Sequence, residues 1–324
     1  MFLGIDVSKK TLDVALLSDA HTSTKPRHKV FDNTAAGHRQ LLAWLQAHKA
    51  TPVHACLEAT GTLGEAVALA LHSAGHQVSV VNPLLLRGFS QTQLARTKTD
   101  KADSVLIARF CQMHQPPLWN PPAPAIRELQ SLVRRLETLD QMRMMEENRL
   151  ESGVSCAEVR ASLEEHIAYL QEQIEKTRQQ IKDHIDQNPT LKGQRDLLTS
   201  IPGIGETTAA LLLAEVDAAQ FDSARQVAAF AGLVPRIRQS GTSVRGRSRL
   251  SKAGSSRLRK GLYFPAITAL RHNPLIRALG ERLKEKGKSK MLIVGAAMRK
   301  ILHLAYGVLK SGKPFDPLWV EKTA

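Results

Sequence analysis

The sequence predicts an α/β domain followed by a largely all-α region, and three observations carry that prediction. Short apolar runs alternate with helical spacing through the first third of the chain. From residue 126 onward, apolar residues recur at steps of three, four or seven, as in packed helices. The charge is divided the same way. Residues 1–125 carry 12 Lys and Arg against 8 Asp and Glu, residues 126–196 carry 11 against 14, and residues 197–324 carry 22 against 8. The whole chain of 324 residues has a formal net charge of +15, so the cationic excess lies almost wholly in the last part. Such an excess points to nucleic acid there.

In chain order, residues 2–7, 11–18 and 29–33 read as strands, and the gap around Ser8, Lys9 and Lys10 is hairpin-sized. Residues 37–48 have helical spacing through Leu41, Leu42 and Leu45. A fourth strand covers 53–59, with Glu58 near its end. A helix covers 62–74, with Gly75 closing it, and a fifth strand over 77–82 stops at Pro83. Three strands, helix, strand, helix, strand is the order of a ribonuclease-H-like α/β fold.

Four acids stand out in this region. Asp6 and Glu58 adjoin apolar runs that read as central strands, where an uncompensated carboxylate is costly. Asp13 reads as an ordinary exposed strand acid. Thr99 reads as a helix N-cap, and Asp100 and Asp103 share one face of the turn after it. Two acids at a helix start also suit the helix dipole without any further role. If all four converge at one sheet edge, they need cations, and hard oxygen ligands select Mg²⁺ or Mn²⁺. Two such ions can clamp the attacking and leaving oxygens of a phosphodiester.

Trp119 to Pro124 reads as a linker. Residues 126–151 form one apolar stripe, and Leu163, Ile167, Leu170, Ile174, Ile181 and Ile185 form a second. The pair reads as a long antiparallel helical hairpin, packed within one chain or between two. Over 197–216, the run Ile201-Pro202-Gly203-Ile204-Gly205 between two helical patterns reads as a helix-hairpin-helix. In that reading, Gly203 and Gly205 bare backbone N–H groups to a phosphate. Further helices are expected over 221–233, 255–270, 274–286 and 290–309.

Between them lies a basic tract, residues 235–263, with Arg236, Arg238, Arg245, Arg247, Arg249, Lys252, Arg257, Arg259 and Lys260. No acid occurs between Ser223 and Gly280. Before about Ser255 its aliphatics are too sparse for a buried strand or an amphipathic helix, so an exposed phosphate-binding loop is expected there. Hydroxyls such as Ser240 sit among the cations, and a hydroxyl held against a phosphate is a potential nucleophile. Composition alone is satisfied by an electrostatic landing strip without chemistry. Aromatics make up 4% of the chain, which argues against base stacking as the main recognition device. Cys56, Cys111 and Cys156 have no metal spacing. No signal peptide and no membrane-length apolar run is evident, so a cytoplasmic protein without membrane partners is expected.

The motifs GIDVSKKTLDVA, LEATGT, KTDKADS, SIPGIGETTA, AAFAGLVP, SGTSVRGRSRLSKAG and AYGVLKSGKPF occur in one order along the chain. In that order and character, the chain resembles the transposases of insertion sequence family 110, the DEDD transposases. The resemblance implies a RuvC-like catalytic domain over 1–118, with Asp6, Glu58, Asp100 and Asp103 as an acidic tetrad binding Mg²⁺ (or Mn²⁺). A linker and coiled-coil spacer would occupy 119–190. A mainly helical transposase domain would follow over 191–324, with Ser240 as catalytic serine. The resemblance further implies donor and target double-stranded DNA as substrates and a non-coding bridge RNA as guide. A homodimer or homotetramer is expected, acting on the nucleoid in bacterial cytoplasm. Three rival readings stand beside it: a RuvC-like junction nuclease without a covalent intermediate, recombination through Tyr263, and an RNA-scaffolding protein without catalysis.

Overall fold

The computed structural model describes residues 1–18, 25–59, 61–93, 99–236 and 249–318, and residues 239–240 and 244–245 by their backbone. The chain separates into two compact units, Met1–Pro121 and Pro122–Ala324.

In the first unit, β1 (Phe2–Val7) and β2 (Thr11–Leu17) form an antiparallel hairpin. Ser8 closes its turn, the hydroxyl accepting from the Thr11 amide at 2.9 Å. The chain continues through β3 (Arg27–Asp32), α1 (Ala35–Ala47), β4 (His54–Glu58), α2 (Glu65–Ser73) and β5 (Gln77–Val81). Sheet order is β3-β2-β1-β4-β5, antiparallel across the first three strands and parallel across β1, β4 and β5. This is the mixed five-stranded α/β sheet expected from the element order, and it is compatible with a RuvC-like domain.

The chain does not simply stop at Pro83. Asn82 accepts from the Leu84 amide at 2.9 Å, and Pro83 opens α3 (Pro83–Thr92), where a missing N–H costs nothing. After it comes α4 (Asp100–His114), capped by Thr99 as expected, with 3.2 Å from the Ala102 amide to its hydroxyl.

Strand alternation separates two cores. Leu3, Ile5, Leu12, Val14 and Leu57 pack with Leu41, Leu45, Val67 and Leu71 on one face of the sheet. Cys56 and Val81 pack with Leu86, Phe89, Ile107 and Phe110 on the other. Asp6 is an even-numbered neighbour of Gly4 on β1, so it belongs to the α4 face.

The second unit begins with α5 (Pro124–Glu151) and α6 (Ala157–Gln187). They are antiparallel: His184, late in α6, lies 2.8 Å from the Ala125 carbonyl at the start of α5. Then follow α7 (Pro189–Thr199), α8 (Glu206–Glu215) and α9 (Ala224–Phe230). Four two-residue strands come next, β6 (Pro235–Arg236), β7 (Gln239–Ser240), β8 (Val244–Arg245) and β9 (Arg249–Leu250). The chain ends in α10 (Ser256–Gly261), α11 (Tyr263–His272), α12 (Pro274–Glu285) and α13 (Lys290–Ser311). A single buried cluster runs from Leu129 and Leu136 through Ile174, Leu198, Leu212 and Leu262 to Ile301. The long helical pair and the helices after it therefore share one core.

One expectation is corrected here. α13 is long and apolar enough by composition to cross a membrane. Its Gly295, Ala297, Met298, Ile301, Leu302 and Ala305 are instead buried in this core.

Candidate active site and nucleic-acid interface

The acidic site is built by register and by one glycine. β1 and β2 pair Asp6 with Asp13 directly. β1 and β4 pair Gly4 with Cys56 and Ile5 with Leu57, which brings Glu58 level with Asp6. Gly4 lets α4 lie directly on β1: a Cβ there would collide with the Ser104 carbonyl oxygen and the Ala108 amide. Ser104 and Ala108 fix the helix, and its first turn carries Asp100 and Asp103 toward the end of β1 that holds Asp6.

The electrostatics register this convergence. Burial pushes the Asp6 carboxyl up from 3.8 to about 6, and the charges of Asp103, Asp100, Asp13 and Glu58 add to the effect in that order. The other three sequence-predicted acids, Glu58, Asp100 and Asp103, thus all act on Asp6. Among the described residues, no three His, Cys, Asp or Glu side chains are gathered closely enough to form a ready ligand set. The donor chemistry fits a hard divalent cation, since it would offset the charge that surrounds the Asp6 carboxyl.

Asp13 departs from its expectation as an ordinary exposed acid. Its side chain is 13% exposed and lies 2.9 Å from His28 Nε2 on β3. The hairpin, with its turn centred on Lys9 and Lys10, sets Asp13 opposite Asp6.

In the second unit, the basic tract is not a plain loop. β6 pairs antiparallel with β9, setting Arg236 opposite Arg249. β7 pairs with β8, setting Gln239 opposite Arg245 and Ser240 opposite Val244. Ser240 therefore sits on a short β-ribbon, beside its connecting segment. Two-residue strands need few aliphatics, which is why the strand signal was weak. The ribbon base is anchored. The Ser251 amide donates to the Val234 carbonyl at 2.8 Å, and Leu250 packs over Gly295 of α13, where a Cβ would stand 3.1 Å away. Gly254, at φ +140, lies against the Phe230 carbonyl, and the Ser255 amide donates to that same oxygen at 2.8 Å. Arg238 and Arg247, expected on phosphate, lie outside the described residues, as do Gly241, Thr242, Ser243 and Ser248.

The cations expected to bind phosphate divide into two groups. Arg236, Arg249 and Lys252 are exposed. Arg257 instead donates to Glu137 of α5 at 2.7 Å and Glu215 of α8 at 2.9 Å. Arg259 donates to the carbonyls of Ala231 and Gly254 at 2.9 and 3.0 Å. Lys260 is exposed but lies 3.7 Å from Glu137. Arg257 and Arg259 hold α10 onto the fold, a use that sequence cannot distinguish from phosphate binding. The turn between α7 and α8 carries Gly203 at φ +107, packed against Ala269 of α11. Gly205 is exposed, with open space where a Cβ would stand, and α8 starts there without a side-chain cap. Tyr263 opens α11 and packs against the main core, the setting expected of a structural tyrosine.

Residues 3–155 match the transposase family DEDD_Tnp_IS110, and residues 195–281 match the family described as Transposase IS116/IS110/IS902. The chain is 34% identical over 319 residues to the pilin gene-inverting protein of Moraxella bovis, covering 97% of both chains. It belongs to the IS110 family of transposases. The chain is likewise 34% identical to the pilin gene-inverting protein of Moraxella lacunata, over 97% of both chains. The transposase for insertion sequence element IS1328 of Yersinia enterocolitica is 28% identical over 63% of this chain and 68% of its own. The IS110 family places the chain among DNA-cleaving and rejoining enzymes, with DNA as substrate.

Proposed function

We propose that this IS110-family chain recombines donor and target duplexes through a phosphoserine at Ser240, with Asp6, Glu58, Asp100 and Asp103 holding Mg²⁺ (or Mn²⁺). The observation that carries the reading is the register that sets Glu58 level with Asp6 and the close seat of α4 on Gly4, with Asp100 and Asp103 in its first turn. The Asp6 carboxyl is accordingly pushed up to about 6, chiefly by burial and then by the acids around it. A fold keeps mutually repelling carboxylates at one sheet edge when they serve a cation. Bound there, Mg²⁺ supplies positive charge to the oxygens of a phosphodiester under attack.

The chain's own residues do the rest. Ser240 Oγ attacks phosphorus, the bond from phosphorus to the 3′ oxygen breaks, and the serine proton ends on the released 3′ hydroxyl. The phosphoserine conserves the energy of the broken linkage, so a second 3′ hydroxyl reverses the step on a new partner without a nucleotide. Exposed Arg236 and Arg249 hold the flanking phosphates. Gly205 and the first turn of α8 receive another through backbone N–H groups. In this reading the first unit is RuvC-like, the turn from α7 to α8 is a helix-hairpin-helix, and a bridge RNA selects the sites. Two duplexes each cut twice require a homodimer or homotetramer. The near full-length likeness to pilin gene-inverting proteins extends the chemistry to inversion, the same exchange between two sites on one molecule.

The test is a covalent-adduct assay. Purified protein, co-expressed RNA and labelled element-junction DNA are combined with Mg²⁺ or EDTA and run on a denaturing gel. A metal-dependent protein–DNA adduct is expected from wild type and from neither Ser240→Ala nor Asp6→Ala. Nicked DNA without adduct, still made by Ser240→Ala, overturns the serine step and leaves a RuvC-like nuclease.

A further inference from the structure

The last turn of α12, the connection after it and the first residue of α13 carry Arg282, Lys284, Lys286, Lys288 and Lys290, all exposed. Among the described residues none of the five is in an ion pair, although Glu281 and Glu285 share the same helix. The turn is fixed by its backbone. The amides of Gly287 and Lys288 donate to the carbonyls of Lys284 and Leu283 at 2.9 and 3.0 Å, and Gly287 has φ +66. Like charges held this close repel, and a polyanion relieves them.

Their place in the fold gives the patch its meaning. Gly295 of α13 is the seat of Leu250, at the base of the ribbon. Lys290 precedes Gly295 by five residues, about 8 Å along the helix. The ribbon base itself sets Arg236 directly opposite Arg249, two exposed guanidinium groups without an acid between them. Like charges opposed across a strand pair are destabilising unless an anion lies over them. The lysine turn and the seat of Leu250 therefore lie within about two helical turns of each other along α13.

We propose that the lysine turn at residues 284–290 is a second phosphate-binding surface, which extends the ribbon's track along the backbone of duplex DNA. The DNA assignment rests on the recombinase reading above; the phosphate chemistry does not. Lysines suit the task because they bind phosphate as point charges and read no sequence. The surface fixes how far the duplex runs past the cut site without choosing the sequence cut.

The test uses the full chain with Lys284, Lys286, Lys288 and Lys290 all changed to Gln. Affinity for a duplex DNA of arbitrary sequence and for a duplex RNA is measured across a salt series, beside the adduct assay. Each phosphate that the protein no longer neutralises reduces the slope of log affinity against log salt by about 0.9 on B-form DNA. The variant is expected to flatten that slope by about 2–3 and to bind DNA at least tenfold more weakly at moderate salt, with unchanged melting temperature. An unchanged slope on DNA overturns the proposal, and so does a loss confined to RNA. A flattened DNA slope with no adduct from wild type upholds the surface and removes the serine reading instead.

Discussion

Replacing Asp6 by Asn should stabilise the protein, and by an amount that depends on pH. The carboxyl of Asp6 is raised from 3.8 to about 6 in the fold, chiefly by burial and then by its acidic neighbours. A raised carboxyl favours the fold while it is protonated, and that contribution is lost as pH rises through about 6. Below pH 3.8 the group is protonated in both states, so wild type and variant differ little there. Between pH 4 and 6 a gap opens, and above 6 it is constant. At about 1.4 kcal/mol per pH unit, the ceiling is about 3 kcal/mol. Solvent reaches this half-buried site, so roughly 1–2 kcal/mol is expected. For a domain of this size that is roughly 3–6 °C in melting temperature. Scanning calorimetry of the full chain at pH 4 and pH 8 reads it directly. Added Mg²⁺ should raise the melting temperature of wild type at pH 8 and leave Asp6→Asn nearly unmoved, closing the gap. A variant no more stable than wild type at pH 8, or a gap equal at both pH values, refutes the reasoning.

Two further predictions concern how the sites are held. Gly4→Ala sets a methyl group against the backbone of Ser104 and Ala108. It should cost at least about 2 kcal/mol by denaturant titration, and the Mg²⁺ response should vanish with the displacement of α4. Arg257→Ala leaves Glu215, 12% exposed, and Glu137 without their guanidinium. A loss of about 2 kcal/mol in thermal stability is expected, with an unchanged salt slope for DNA, since Arg257 faces the fold. A flattened slope would return Arg257 to the phosphate-binding set.

Much of the acidic site was legible because its signals are local. Asp6 and Glu58 end apolar runs, and Thr99 followed by acids at Asp100 and Asp103 is a helix start wherever it falls. The role of Asp13 was not, because its exposure depends on His28 of a third strand rather than on its neighbours in sequence. α3 was missed because Asn82-Pro83 can end a strand and open a helix at once. The ribbon was read as a loop because its strands are two residues long and are held from outside, by Leu250 on Gly295.

By itself the sequence determined the order of the main strands and helices apart from α3 and the two-residue strands, the acids, the cationic excess and the family, since these rest on residue type and spacing. Only the tertiary structure decided which charges are free to act. It set Asp6 among four carboxylates, turned Arg257 and Arg259 inward onto Glu137, Glu215 and backbone carbonyls, and left Arg236 and Arg249 exposed. The reason is physical. A charge's role depends on its nearest counter-charge and its access to water, and both are set by residues remote in sequence: 120 positions separate Arg257 from Glu137.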